Sequence, residues 1–265
     1  MEFLMYLALG AAAGTLSGLF GLGGGVIIVP ILIFAFHLQG IDPSVATHLA
    51  IGTSLATIIV TSMFSIYTHH HNKAVNWSLV KGISPGIVVG AIAGGLFALS
   101  LDGQFLQSLF GGFLIAVALQ MLFYKPEPAT RRSLGVVGMG IAGTGIGGAS
   151  AIFGIGGGSL TTPLLTFYGV PILQAVGTAA ACGLPIAVFS TLVYGSSVNP
   201  DLQLPEGALG YIFLPAWLGI VIAGAPFARL GALLAHRLNA QLLKRSFGVF
   251  ALLIGLRFLY INLLH

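Results

Sequence analysis

Phe20-Gly21-Leu22-Gly23-Gly24-Gly25 and Phe153-Gly154-Ile155-Gly156-Gly157-Gly158 are the residues of this chain best suited to chemistry, and the chemistry is anion binding. Each glycine run interrupts one apolar stretch and opens another, as a helix starting inside a hydrophobic region would. The first N–H groups of a helix lack intrahelical acceptors. The helix dipole places partial positive charge at that end, and glycine lets a ligand approach the backbone closely. Two such ends brought together hold an anion without any charged side chain. Gly21, Gly23, Gly24, Gly25, Gly154, Gly156, Gly157 and Gly158 are therefore candidate substrate ligands; the competing reading is that they only let helices pack. Thr53 and Ser54, matched by Thr178, add hydroxyls that can donate to an oxyanion, and Ser159 abuts the second glycine run, with Thr161 and Thr162 just beyond it. The alternative for these is a bond to the carbonyl four residues back.

Other chemistries find little support. The six acidic residues (Glu2, Asp42, Asp102, Glu127, Asp201 and Glu206) fall in loops or near segment ends. No buried carboxylate is then available for a sodium site or a carboxylate proton relay. His48, at the start of an apolar segment, is the candidate for proton coupling, against the reading of a helix-end histidine facing the interface. His69, His70 and His71 read as a solvated loop run, and no metal site is expected. No catalytic constellation stands out, so neither an enzyme nor a cofactor is expected. Gly143, Gly145 and Gly148 match a dinucleotide-binding spacing but lack the preceding strand that the motif needs. Cys182 has no second cysteine to pair with.

The elements that must position these groups are set by composition. Hydrophobic residues make up 57% of the 265, charged residues 6%, and mean hydropathy is +1.02. Soluble domains carry about 25% charged residues. Runs this apolar, without polar alternation, exclude an outer-membrane barrel, and helices satisfy the backbone in lipid. The fold class is an all-α polytopic membrane protein with the lipid bilayer as its solvent. The net charge of +4 is spread over short loops and helix ends, as membrane topology expects, so no nucleic-acid partner is predicted. The first apolar run reads as a membrane helix, not a cleaved signal.

Apolar segments fall at 3–22, 26–36, 45–67, 79–100 and 104–124, then at 133–152, 159–169, 172–194, 207–227 and 241–262. The two sets are duplicates. Pro30 recurs as Pro163, Ala50-Ile51-Gly52-Thr53-Ser54 as Ala175-Val176-Gly177-Thr178-Ala179, and Pro85 and Gly94 as Pro215 and Gly224. The expected division is a first membrane repeat at 1–125, a cytoplasmic linker at 126–132 and a second repeat at 133–265. The loop with Lys73 and Lys81, the linker with Lys125, Arg131 and Arg132, and the region with Arg229, Arg237, Lys244 and Arg245 read as cytoplasmic. The counterpart of the first of these, at 195–206, carries Asp201 and Glu206 instead. Equivalent loops on opposite sides require inverted repeats of about five segments each. The rows Gly10-Gly14-Gly18 and Gly86-Gly90-Gly94 have helix-packing spacing, suited to a homodimer face or to contacts within one subunit.

Inverted repeats with short, glycine-interrupted segments at matching positions are the pattern of secondary transporters, with the site at the repeat interface. The segments GLFGLGGGVIIVPIL, AIGTSLATIIVTS with the His/Lys loop and Val75-Asn76-Trp77, and FGIGGGSLTTPLL followed by AVGT resemble the sulfite exporter TauE/SafE family of permeases over almost the whole chain. Asn76 departs from the aspartate common there, and Ala179 from the serine of the first repeat. The resemblance implies transport, often export, of small sulfur oxyanions or organosulfonates such as sulfite, in the multi-pass cytoplasmic membrane of a bacterium. Alternatives are a transporter of another small organic acid or a non-transporting membrane partner of a sulfur-metabolism enzyme.

Overall fold

The computed structural model describes residues 2–20, 24–123, 135–197, 204–235 and 240–263. Among them the chain forms ten helices: α1 (Glu2–Phe20), α2 (Gly25–Leu38), α3 (Pro43–His71), α4 (Trp77–Leu99), α5 (Gly103–Phe123), α6 (Val136–Phe153), α7 (Gly158–Phe167), α8 (Ile172–Ser196), α9 (Leu214–Ala235) and α10 (Ala240–Leu263). Six helices are long and apolar enough to cross a membrane. With 14 and 10 residues, α2 and α7 are the exceptions in length: at about 1.5 Å per residue they fall short of a bilayer core about 30 Å thick. Many large apolar side chains point outward, Phe123 and Val136 at 76% and 80% exposure, as lipid-facing surfaces do and water-facing ones rarely do.

Local chemistry fixes the boundaries. Asp42 caps α3 by accepting the Ser44 N–H at 2.8 Å, with Pro43 in the first turn. Asn76 caps α4 by accepting the Leu79 N–H at 3.2 Å. The end of α6 is Gly154 in the left-handed region at φ +65°.

Helix pairing shows the inversion directly. Gly52 of α3 packs on Tyr194 of α8, Ser62 on Gly183, and Ala74 just beyond α3 on Gly177, so these corresponding helices run antiparallel. The corresponding pair α5 and α10 is antiparallel too: Gly111 meets Gly255, while Gly248 meets Leu122. The cross pairs run parallel, α1 along α9 (Gly10 on Ile220, Gly14 on Gly224) and α4 along α6 (Gly86 on Gly140, Gly94 on Gly148). Exchanging the halves turns the α1–α9 pair into the α6–α4 pair and leaves the other two as themselves. Gly10, Gly14, Gly86, Gly90 and Gly94 thus serve packing inside the subunit: a Cβ on Gly14 would sit 2.9 Å from Gly224 Cα, and one on Gly90 only 2.8 Å from the Thr144 carbonyl carbon.

One expected helix starts late. Residues 207–213 read as helix in sequence, but form the antiparallel pair β1 (Ala208–Leu209) and β2 (Ile212–Phe213) before α9. Gly207 and Gly210, at φ +86° and +53°, make turns that a helix would not allow. With Pro215 set on Pro85, this hairpin replaces the first two turns of α4.

Candidate anion-binding site

The starts of α2 and α7 face one cavity of about 290 Å³. Their N-caps, Gly24 and Gly157, have nearly the same conformation (φ −57°, ψ −30° and φ −57°, ψ −24°), and neither carries a side-chain cap. Both helix ends therefore present backbone N–H groups and positive dipole ends to the same space. Gly24, Gly156, Gly157 and Gly158 line it. So do the hydroxyl residues Ser17, Thr57, Thr61, Ser62, Ser65 and Thr162, beside apolar walls from Ile28, Ile58, Val176 and Ile220. Among the described residues, no charged side chain lines the cavity. Thr57 Oγ1 donates to the Thr53 carbonyl at 2.9 Å, whereas Ser17, Ser62, Ser65 and Thr162 donate to no protein group among the described residues. Such a cavity can hold a small anion by backbone and hydroxyl donors, with room for a short apolar portion.

The other described candidates do not line this cavity. Gly21 and Gly23 lie outside the described residues. Gly25 and Gly154 press the two glycine turns together: a Cβ on Gly25 would come 2.7 Å from Ile155 Cα. Ser54 Oγ donates to the Gly154 carbonyl at 2.8 Å and fastens the same junction from α3. Ser159 is half-buried next to the Gly157 cap and does not line the cavity.

Thr53 and Thr178 share another task. Thr53 Oγ1 accepts the Phe213 N–H at 2.9 Å while donating to the Leu49 carbonyl at 2.6 Å. Thr178 Oγ1 accepts the Asn76 N–H at 3.0 Å. Phe213 and Asn76 each immediately precede the fourth helix of their half. The glycine before each threonine receives the carbonyl two residues upstream: Gly52 that of Tyr211, Gly177 that of Ala74. The repeated Gly-Thr pair is thus a backbone dock that anchors the entry to α4 or α9.

His48 is buried away from the cavity. Its Nε2 lies 3.0 Å from the Ala98 carbonyl, its Nδ1 3.3 Å from that of Ser44, and its ring packs against Tyr211. No group of three or more His, Cys, Asp or Glu fit for a metal occurs among the described residues. In the apparent dinucleotide motif, Gly143 packs against Ile83 of α4, which is membrane-helix packing.

The structure adds a hydroxyl set on α3 to the cavity lining. Thr57, Thr61 and Ser65 recur every fourth residue, one helix face beginning just after the Gly-Thr-Ser motif, a spacing visible in the sequence.

The sulfite exporter TauE/SafE family profile matches residues 6–258. A probable membrane transporter protein of Haemophilus influenzae is 37% identical over 257 residues, covering 96% of each chain. One of Methanocaldococcus jannaschii is 31% identical, covering 92% of this chain and 91% of its own. A third, YunE of Bacillus subtilis, is 28% identical, covering 98% of each.

Proposed function

Since the chain belongs to the sulfite exporter TauE/SafE family and is a membrane transporter, we propose that it carries a small oxyanion, a sulfur oxyanion or organosulfonate such as sulfite, out of a bacterial cell across the cytoplasmic membrane. The observation that carries this reading is the pair of uncapped glycine-led helix ends facing one hydroxyl-lined cavity. Two positive dipole ends favour an anion over a cation, and no carboxylate among the described residues lines the cavity to hold sodium or a metal.

The cavity runs toward the end of α3 that leads to Lys73 and Lys81, and along α9 toward Arg229. The positive-inside rule makes this the cytoplasmic end, so the anion would load from inside. An inside-negative potential favours exit of each negative charge by about 2.3 kcal/mol per 100 mV, so export needs no coupling ion. The two halves, joined through the linker at 126–132, would move against each other to expose the site to either side.

The test is flux of labelled sulfite in proteoliposomes under an imposed potential, with Gly24→Val as the control. A Cβ at Gly24 meets first the tip of Ile28, at 2.8 Å, which can yield. One at Gly157 meets the Ala179 carbonyl oxygen at 2.7 Å and the Gly183 nitrogen at 2.9 Å, both backbone. Gly24→Val therefore separates binding from packing, and Gly157→Val does not. Saturable, potential-dependent flux lost in folded Gly24→Val is expected; equal flux in the variant removes the site. Flux of a small carboxylate in place of sulfite would move the assignment to the organic-acid reading.

A further inference from the structure

Among the described residues, four buried hydroxyls have no hydrogen-bond partner: Thr191 Oγ1, and three that share a relation to the cavity, Ser150 Oγ, Thr161 Oγ1 and Ser190 Oγ. All three residues are fully buried. An unpaired hydroxyl in an apolar interior is costly, so a set of them asks for a reason. The repeats supply one. The register that sets Gly157 on Gly24 sets Ser150 on Ser17 and Thr161 on Ile28. The register that sets Thr178 on Thr53 sets Ser190 on Ser65. Ser17, Ile28 and Ser65 all line the open cavity. Cys182 likewise falls on the lining residue Thr57, and Ser54 on the lining residue Ala179.

We propose that Ser150, Thr161 and Ser190, with Ser54, are the contact set for the same anion on the opposite side of the membrane, closed in this conformation. The inference rests on the transport reading above. Inverted halves can exchange conformations, and the exchange closes the present cavity and opens its counterpart. The unpaired hydroxyls are then donors waiting for an oxyanion or for the water that precedes it. Two bonds hold this half shut: Ser54 to the Gly154 carbonyl at 2.8 Å, and Tyr194, one turn beyond Ser190, to the Ala151 carbonyl at 3.2 Å. The first has no equivalent in the other half, because Ala179 carries no hydroxyl, and this asymmetry accounts for which side stands open.

The native thiol makes the test simple, since Cys182 is the chain's single cysteine. In a Cys182→Ala background, Ser65→Cys and Ser190→Cys are reconstituted separately and exposed to a membrane-impermeant maleimide from one face or the other. Ser65→Cys should label from one face and Ser190→Cys only from the opposite face. Labelling of both from the same face, or no labelling of Ser190→Cys while Ser65→Cys reacts, overturns the inference. Sulfite flux is scored separately: wild-type vesicles without it, but with opposite-face labelling, would sink the substrate assignment and leave the second contact set standing. As a second measurement, Ser150→Ala with Ser190→Ala should raise the flux KM at least several-fold from the Ser190 face and leave it unchanged from the Ser65 face. Equal changes from both faces would mean a structural role alone.

Discussion

The hydroxyl of Thr178 accepts the backbone N–H of Asn76 at 3.0 Å, across 102 residues of sequence. Thr53 does the same for Phe213 at 2.9 Å. Each bond crosses from one half to the other, and each satisfies an N–H at the start of a helix, where no intrahelical acceptor exists. Removing the hydroxyl leaves that N–H unpaired, at about 1–3 kcal/mol. Thr178→Val should therefore lower the thermal midpoint of the purified protein by several degrees, and Thr178→Ser should restore most of it. A Val variant as stable as the parent would show that the dock contributes nothing.

Packing glycines should separate sharply from open ones. A Cβ at Gly90 would press on the Thr144 carbonyl and sit 2.9 Å from the Gly148 nitrogen, whereas one at Gly145 meets nothing within 4 Å. Gly145→Ala in mid-helix then gains the propensity difference of about 0.8–1 kcal/mol, and Gly90→Ala forces α4 from α6. We expect Gly145→Ala to hold or raise the thermal midpoint and Gly90→Ala to lower it or abolish recovery of folded protein. Similar behaviour of the two would contradict the α4–α6 interface.

The cavity hydroxyls should affect transport more than stability. Among the described residues Ser62 donates to no protein group, and it faces the cavity, so Ser62→Ala removes a donor to the anion without orphaning a protein partner. A neutral hydrogen bond contributes about 0.5–1.5 kcal/mol net, more when the acceptor is charged, so KM for the anion should rise several-fold to tenfold with an unchanged thermal midpoint. Unchanged flux kinetics would remove Ser62 from the binding set.

Much of this was legible in the sequence, for physical reasons that also mark where legibility stops. The glycine runs, the duplication and the inverted charge pattern are one-dimensional signals of helix breaks, repeat register and topology, and the helices lie within a few residues of the expected segments apart from α9. The Gly-Thr pair was visible as a repeated motif, but its role depends on what stands opposite, here the backbones of Tyr211 to Phe213 and Ala74 to Asn76. A hydroxyl beside a glycine reads the same whether it faces a ligand or a chain segment far away in sequence. The hairpin before α9 stayed hidden because Ala208, Leu209, Ile212 and Phe213 are apolar enough to pass for membrane helix, and only the positive φ of Gly207 and Gly210 gives it away. Thr57, Thr61 and Ser65 carry no distinctive signal in sequence because hydroxyls at four-residue spacing in a membrane helix so often bond their own backbone, as Thr57 also does.

In the proposed exchange of the two halves, the bond between Ser54 and Gly154 sets which side of the molecule stands open. The 2.8 Å bond from the Ser54 hydroxyl to the Gly154 carbonyl ties α3 to the second glycine turn, and Ala179 cannot make its counterpart. A single buried hydrogen bond shifts a two-state equilibrium by about 0.5–1.5 kcal/mol, a factor of about two to ten in population. Ser54→Ala should thus move the balance toward the opposite opening, raising the maleimide labelling rate of Ser190→Cys in a Cys182→Ala chain and lowering that of Ser65→Cys. The two rates must move in opposite directions, because opening one half closes the other. A parallel rise in both would indicate general loosening of the helix junction, and Ser54 would then be a packing residue with no part in choosing the open side.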